Sequence, residues 1–331
     1  MGQPNHAGDD DLVRELSDRV GEIVGEGRAP GLHGAVVLRH GDPVLEWYGS
    51  GEDFALNVPL GRVDFGPGTL HDIRSVTKSV VAVLYGVALA HGLVPEPDEP
   101  ILRHFPEYAD LAADPWRAHL TVEHALTMTL GLEWDESVPY TGPENSEIAM
   151  ELAPDRYRFV LERPIVEEPG TRWNYSGGAV ALVGGIIARG TGRPLEEFAR
   201  TELFEPLGAG SFEWSAGADG VAFAASGLRL TPRGLARIGQ AVLDAEVVPA
   251  AWVERMLRPR VPSWGDASYG YLWHVGADGR ATAAGNGGQR LFLLPGLDAV
   301  VAVTAGRYDE ADQDAAALAI LEDAVLPTLA P

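Results

Sequence analysis

The sequence predicts an α/β fold of the α+β type: an antiparallel sheet flanked by helices, with an all-helical domain inserted into it. Strand-forming runs lie near both chain ends. GLHGAVVLRHGDPVLEWYGSG reads as a hairpin, with strands around Gly34–Arg39 and Val44–Tyr48 and a turn at His40–Gly41–Asp42. Near the other end YGYLWHVG, RATAAG, RLFLLP and AVVAVTAG are parted by Gly, Pro or Asp and read as an antiparallel meander. Residues from about 95 to 220 instead carry helical spacing and long connections. The simplest packing pairs the two ends in one layer. Residues 1–97 together with 221–331 then form an α/β domain, residues 98–220 a helical domain, and the functional site falls in the cleft between them.

Each element has a local cause. From Asp10 to Val24, Leu12, Val13, Leu16, Val20, Ile23 and Val24 recur at helical spacing, and Gly25 and Gly27 end the run. Residues 51–68, rich in Gly, Pro and Asp, read as a loop. A helix over Ser75–His91 follows, uninterrupted by Pro and closed by Gly92 and Pro95, with Asp72 or Ser75 to cap it. Thr121–Thr129, beginning TVEH, reads as a helix, and GLEWDESVPYTGPENSE is a long polar loop. Helices follow at Ser146–Leu152, Asp155–Leu161 and Gly178–Arg189, the last after the turn EPGTRWNYSGG, and Pro194 starts another. Thr231–Asp244, Pro249–Leu257 and Ala311–Leu326 complete the set.

Composition narrows the function. The formal charge of −23 argues against nucleic acid, whose phosphates need clustered Lys and Arg. It favours solubility and steers cationic ligands. No apolar run is long enough to span a membrane, and the start MGQPNHAGDDDLVREL has neither the basic flank nor the apolar stretch of an export signal, so a cytoplasmic location is expected. With no Cys there is no disulfide frame and no thiolate chemistry. Neither cofactor nor metal is expected: there is no P-loop, no H-E-x-x-H, no complete G-x-G-x-x-G and no G-x-S-x-G, and the nine histidines are dispersed.

The chemistry concentrates at the start of the central helix. Val80, Val81, Val83, Leu84, Val87 and Leu89 make its body apolar nearly all round, so it is buried. Ser75, Lys78 and Ser79 stand at its entrance, and the spacing of Ser75 and Lys78 puts them on one face. Of the 25 basic residues 24 are Arg, and Lys78 is the sole Lys. Arg stays protonated, whereas a buried Lys can lose its proton and activate a neighbouring hydroxyl. Burial and nearby positive charge would bring its pKa from about 10.4 to about 7–8, at a cost of about 3–5 kcal/mol. The bland alternative is a lysine snorkelling at a helix end.

Two further stretches carry polar groups at suggestive places. Tyr175, in PGTRWNYSGG, lies at a turn before a helix, where a phenol serves either as proton shuttle or as packing aromatic. Asn286, Gly287 and Gly288 stand at the mouth of a strand, where glycines admit a substrate carbonyl to a sheet edge or simply form a turn.

Together SVTK (Ser75, Lys78), YSG (Tyr175–Gly177) and NGG (Asn286–Gly288) resemble the ordered motifs of the serine β-lactamase-like superfamily of penicillin-recognising hydrolases. These are S-x-x-K, Y-x-N, and K-T-G or H-x-G. HALTMTLGL (His124–Leu132) resembles the helix between the first two motifs, and RSVTKS, GLEWDE and GNGGQ are similar to the class C-like esterases and 6-aminohexanoate-dimer hydrolases. The resemblance implies that Ser75 is the nucleophile, Lys78 its base and Tyr175 the proton relay. The N–H groups of Ser75 and Gln289 would form the oxyanion hole. Trp134, Asp135 and Tyr140 on the long loop, with Asn286, Gly287 and Gly288, are the expected pocket residues, Asp135 as a holder of a substrate ammonium. Two departures stand out: Gly177 lacks the amide of Y-x-N, and Asn286 lacks the cation of K-T-G that meets penicillin carboxylates. The reading is therefore a hydrolase of small esters or amides. An acyltransferase of the same fold, a β-lactamase and a non-catalytic binding protein are its rivals. The sequence carries no signal for oligomeric state.

Overall fold

The computed structural model describes residues 6–330; residues 1–5, part of the stretch read for an export signal, and Pro331 lie outside it. Its main sheet has eight strands, every adjacent pair antiparallel. Across the sheet they run Asp42–Tyr48, Leu32–Arg39, Ala299–Ala305, Gln289–Leu294, Ala281–Gly285, His274–Val275, Ser268–Tyr269 and Val261–Pro262. The chain ends do meet in one layer: Ala35 pairs with Val303 and Val37 with Val301.

Alternation along the strands divides the core in two. Ala35, Val37, Phe292, Leu294, Val301 and Val303 face the helix His6–Gly25 and the C-terminal helical stretch 315–329, where Leu16, Val20, Ile23, Ile320, Leu321 and Val325 are buried. Val36, Leu38, Leu291, Leu293, Val300 and Ala302 face the other way. That second core runs without a break from the sheet through the helix Val76–Ala90 into the helical segment, reaching Leu126, Val160, Ile186 and Phe198. Each fully buried Leu, Ile or Val there stabilises the fold by about 1.5–3 kcal/mol.

The central helix lies between sheet and helical segment, with every residue from Val76 to Ala88 buried. Gly86 inside it is explained by contact: a Cβ there would lie 2.0 Å from the Trp252 ring, whose Nε1 donates to the Ala82 carbonyl at 3.0 Å. Several elements differ from the sequence reading. YGYLWHVG, expected as one strand, is broken between Ser268–Tyr269 and His274–Val275, which pair with each other, and the helix from Thr121 ends at Leu126. Residues 51–68, expected as a loop, contain most of a hairpin, Ser50–Ala55 with Val58–Asp64. Phe212–Trp214, inside the segment expected to be helical, is a strand in a small sheet with Leu228–Leu230 and His71–Asp72. No described helix is long and apolar enough to cross a membrane.

Candidate active site

The loop that delivers Ser75 is held by one buried carboxylate. Asp72 Oδ2 accepts from the N–H of Leu56 at 2.6 Å and Oδ1 from that of Arg74 at 2.8 Å. Arg74 has φ +49°, a left-handed backbone that costs a non-glycine residue energy. Its guanidinium reaches back to the Leu56 carbonyl and lies 4.5 Å over the Tyr308 ring. Ser75 follows at the N-cap of Val76–Ala90, yet its side chain caps nothing. The expectation that Asp72 or Ser75 caps the helix is thus corrected. Asp72 clamps the preceding turn, and the Ser75 hydroxyl is left free for other partners.

Lys78, 2% exposed, points its Nζ at Ser75 Oγ (3.0 Å). The same nitrogen donates to the Ala225 carbonyl at 2.9 Å and to Glu147 Oε2 at 3.5 Å. The Tyr175 ring centre lies 4.8 Å away. Ser75, Lys78 and Tyr175 are therefore brought together, but the electrostatics around the amine are not those expected. In place of nearby positive charge there are carboxylates. Burial pulls the ammonium down, but Glu147, backed by Tyr175 and Glu136, overrides it and leaves Lys78 raised above its ordinary value. Burial pushes the Tyr175 phenol up while Lys78 pulls it back. Burial, then Glu147, pushes Glu136 up to about 7 against the pull of Lys78.

On the sheet side, the glycine that lets the strand approach the nucleophile is Gly285. A Cβ there would lie 2.5 Å from the Ile73 carbonyl and 3.1 Å from the Ser75 nitrogen. Gly287 (φ +88°) and Gly288 (φ +92°) are turn glycines packed instead against Tyr308 and Gln313, so their expected role in the pocket is corrected to a hairpin turn. Gln289 lies on the returning strand, paired with Gly285 and fully buried. Its side chain donates to the carbonyls of Asn286 and Ala305 and accepts from the Ala305 N–H. It lines neither cavity beside Ser75, so the oxyanion-hole role expected of its N–H is not carried over. Asn286 lines both, with its amide fixed by two hydrogen bonds to Asp309. Among the described residues nothing accepts from the backbone N–H of Ser75 or of Asn286.

Ser75 stands where two cavities meet. One, of 230 Å³, is lined by Leu56, Ile148, Leu152 and Phe223, with Glu147 and Glu151 among its polar residues. The other, of 540 Å³, is lined by Tyr175, Glu136, Trp264, Asp309 and Glu310. Tyr140 borders both, its hydroxyl donating to Glu136 Oε2 at 2.7 Å. Trp134 is buried beneath the site, 2.6 Å from where a Gly178 Cβ would be, and does not line it. Asp135 is exposed and occupied with the N–H and hydroxyl of Ser137, so the carboxylate that enters the cavity from this loop is its neighbour Glu136. Glu136, Glu147 and Trp264 escaped the sequence reading. Only Glu136 left a signal, adjacency to residues already suspected.

A model of the family described as Beta-lactamase matches residues 10–325. The 6-aminohexanoate-dimer hydrolase of Paenarthrobacter ureafaciens is 25% identical over 297 residues, covering 80% of this chain and 70% of that protein. Esterase EstB of Burkholderia gladioli is 29% identical over 182 residues, covering 53% of this chain and 44% of its own length. Among solved structures, EstCE1, a hydrolase with promiscuous acyltransferase activity, is similar with a TM-score of 0.74 at 17% identity, covering 96% of this chain and 99% of that one.

Proposed function

The chain belongs to the Beta-lactamase family, within the serine β-lactamase-like superfamily, and on that premise we propose that it is a serine hydrolase of small esters or amides working through an acyl-enzyme on Ser75. The observation that carries the proposal is the contact of Lys78 Nζ, shielded from solvent, with a Ser75 hydroxyl that caps no helix. Ser75 Oγ attacks the acyl carbon, Lys78 takes its proton, and Tyr175 relays a proton to the departing alcohol or amine. Water then clears the ester on Ser75. The oxyanion is received by the N–H groups of Ser75 and Asn286, both without a protein acceptor and both at the cavity walls. Losing one such donor typically costs about 2.7–4 kcal/mol.

Tyr175 borders only the larger cavity, so the leaving group, which needs its proton, lies there and the acyl group in the narrower apolar one. The relatives named 6-aminohexanoate-dimer hydrolase and esterase EstB support this substrate class. Penicillin-like anions fit poorly. The two arginines at the walls are already committed, Arg74 to the Asp72 loop and Arg290 to Asp314, while Glu136, Asp309 and Glu310 are acidic. The acyltransferase reading has one observation behind it, the generous leaving-group cavity, which could equally seat an acceptor alcohol or amine.

The test is p-nitrophenyl ester hydrolysis by the purified protein and by Ser75→Ala, with acyl-enzyme mass as a second readout. Loss of turnover and of the mass adduct in the variant is expected; undiminished turnover would remove Ser75 from the mechanism. Mass spectrometry with added amines or alcohols separates transfer from hydrolysis, and nitrocefin is expected to be turned over far more slowly than the ester.

A further inference from the structure

An ammonium has three hydrogens, and each one on Lys78 has an acceptor: Ser75 Oγ, the Ala225 carbonyl and Glu147 Oε2. In that state the nitrogen has no lone pair with which to take the Ser75 proton. One hydrogen must leave first. A peptide carbonyl does not hold a proton in water's pH range, and Ser75 is the group to be deprotonated. That leaves Glu147.

The fold aims this carboxylate with some care. Asn145, fully buried, caps the helix Ser146–Leu152 by accepting from the N–H groups of Glu147 and Ile148, and its own amide donates to the Val138 carbonyl at 2.9 Å. Glu147 is therefore fixed at the first turn, with Oε1 accepting from the Ser226 hydroxyl at 3.2 Å. The space it enters exists because residue 177 is glycine. A Cβ on Gly177 would lie 2.1 Å from Glu147 Oε2. A side chain at position 177 would have to displace the Glu147 carboxylate from its present place on Lys78. Glu136, the other carboxylate near the amine, already accepts from the N–H of Gly177, from Trp134 Nε1 and from the Tyr140 hydroxyl.

We propose that Glu147 is the proton acceptor that converts Lys78 into a base. A proton passes from Nζ to Oε2, leaving a neutral amine and a neutral carboxylic acid. The amine then takes the Ser75 proton as Oγ bonds to the acyl carbon, and Tyr175 passes a proton on to the leaving group. Glu147 keeps its proton through acylation and through the matching attack of water, and returns it to Lys78 afterwards. Ammonium and carboxylate become two uncharged groups: the ion pair that holds the proton on Lys78 at rest is given up, and burial, which disfavours both charges, offsets part of that cost. Glu147 acts through Lys78 and is a positioning residue for its proton. The titratable groups around the pair are Tyr175 before the helix Gly177–Thr191, Glu136 and Tyr140 on the long loop, and Glu151, one turn along, with Arg156 and Asp219 behind it.

The inference rests on the Ser75 hydrolase reading, and the experiment separates the two failures. kcat/KM for a p-nitrophenyl ester is measured from pH 5 to pH 10 in the wild type, Glu147→Gln, Glu147→Asp and Gly177→Ala, with Ser75→Ala as reference and thermal melting as a check on folding. In Glu147→Gln the lysine proton has only solvent to go to. Activity at neutral pH is expected to fall about 10²- to 10⁴-fold and to rise tenfold per pH unit into the alkaline range, where the wild type is flat. Glu147→Asp, which keeps a carboxylate but draws it back from Nζ, is expected to fall between the wild type and Glu147→Gln. Gly177→Ala, which pushes the carboxylate aside without removing it, is expected to shift the profile in the same alkaline direction. If Glu147→Gln keeps the wild-type profile, or its acid limb moves to lower pH because a suppressing charge has gone, the proposal is overturned. If Ser75→Ala retains turnover, the hydrolase reading falls first.

Discussion

At the scale of the residue, the unusual feature is a lysine whose partners hold its proton on. A guanidinium in its place would keep the charge and could never act as a base. Lys78→Arg is therefore expected to lose at least about 10³-fold in kcat/KM for an ester substrate, whatever the pH. Activity within tenfold of wild type, in protein that melts normally, would reduce Lys78 to a structural role. The sequence made Lys78 conspicuous, since it is the only lysine and lies one turn from a serine on a helix apolar enough to be buried. What the sequence hid was its charge environment. Glu147 lies 69 residues further on, and no spacing links it to Lys78. The strand motif was legible in type and displaced in place. Glycines mark a close approach only where something approaches, and in AAGNGG that one is Gly285, while Gly287 and Gly288 serve the turn.

At the scale of the element, the two cavities give substrate selection a geometry. The narrower one is walled by Leu56 from the Ser50–Asp64 hairpin, Ile148 and Leu152 from the helix Ser146–Leu152, and Phe223. Each methylene buried there contributes about 0.8 kcal/mol, roughly fourfold in kcat/KM. A series of p-nitrophenyl esters of rising acyl length is expected to climb by that factor per carbon until the 230 Å³ is filled, and then to fall. Ile148→Trp is expected to move the break to shorter chains. A flat series, or a break that stays put in the variant, would mean that the acyl group lies elsewhere. Helices with clean caps and apolar spacing, such as Pro232–Leu243 behind Thr231, were readable because local and tertiary preferences agree. The Ser50–Asp64 hairpin was not. Its second strand is exposed along nearly its whole length, so it shows no buried alternation. The strand Phe212–Trp214 is too short to print a period of its own.

At the scale of the whole molecule, two buried sets of titratable groups pull stability in opposite directions with pH. His33, on the strand Leu32–Arg39, and His71, before the nucleophile loop, meet through Nδ1 and Nε2 at 2.9 Å, and His71 Nδ1 lies 3.0 Å from the Asp72 carbonyl. That chain needs a neutral His71, whose Nε2 accepts from His33 Nδ1–H while its own Nδ1–H donates to the Asp72 carbonyl. Burial lowers His33 to about 4, with Asp53 opposing and Arg62 assisting. Burial and His33 lower His71 to about 3, with Arg229 and Arg74 adding to the shift. For a lowered folded pKa the contribution is present above about pH 6.5 and is lost as pH falls toward 4. His33 alone accounts for on the order of 3 kcal/mol over that range. Glu151 behaves oppositely. Burial, against the pull of Arg156, raises it to about 8, so its contribution is full below about pH 4.5 and is lost as pH rises through 8. Between pH 7.5 and 5 the two trends offset each other, and the wild-type melting temperature is expected to change little. Glu151→Gln removes the compensating carboxyl, so its melting temperature is expected to fall clearly more than that of the wild type over the same interval. Parallel melting curves for the two proteins would show that Glu151 does not titrate there.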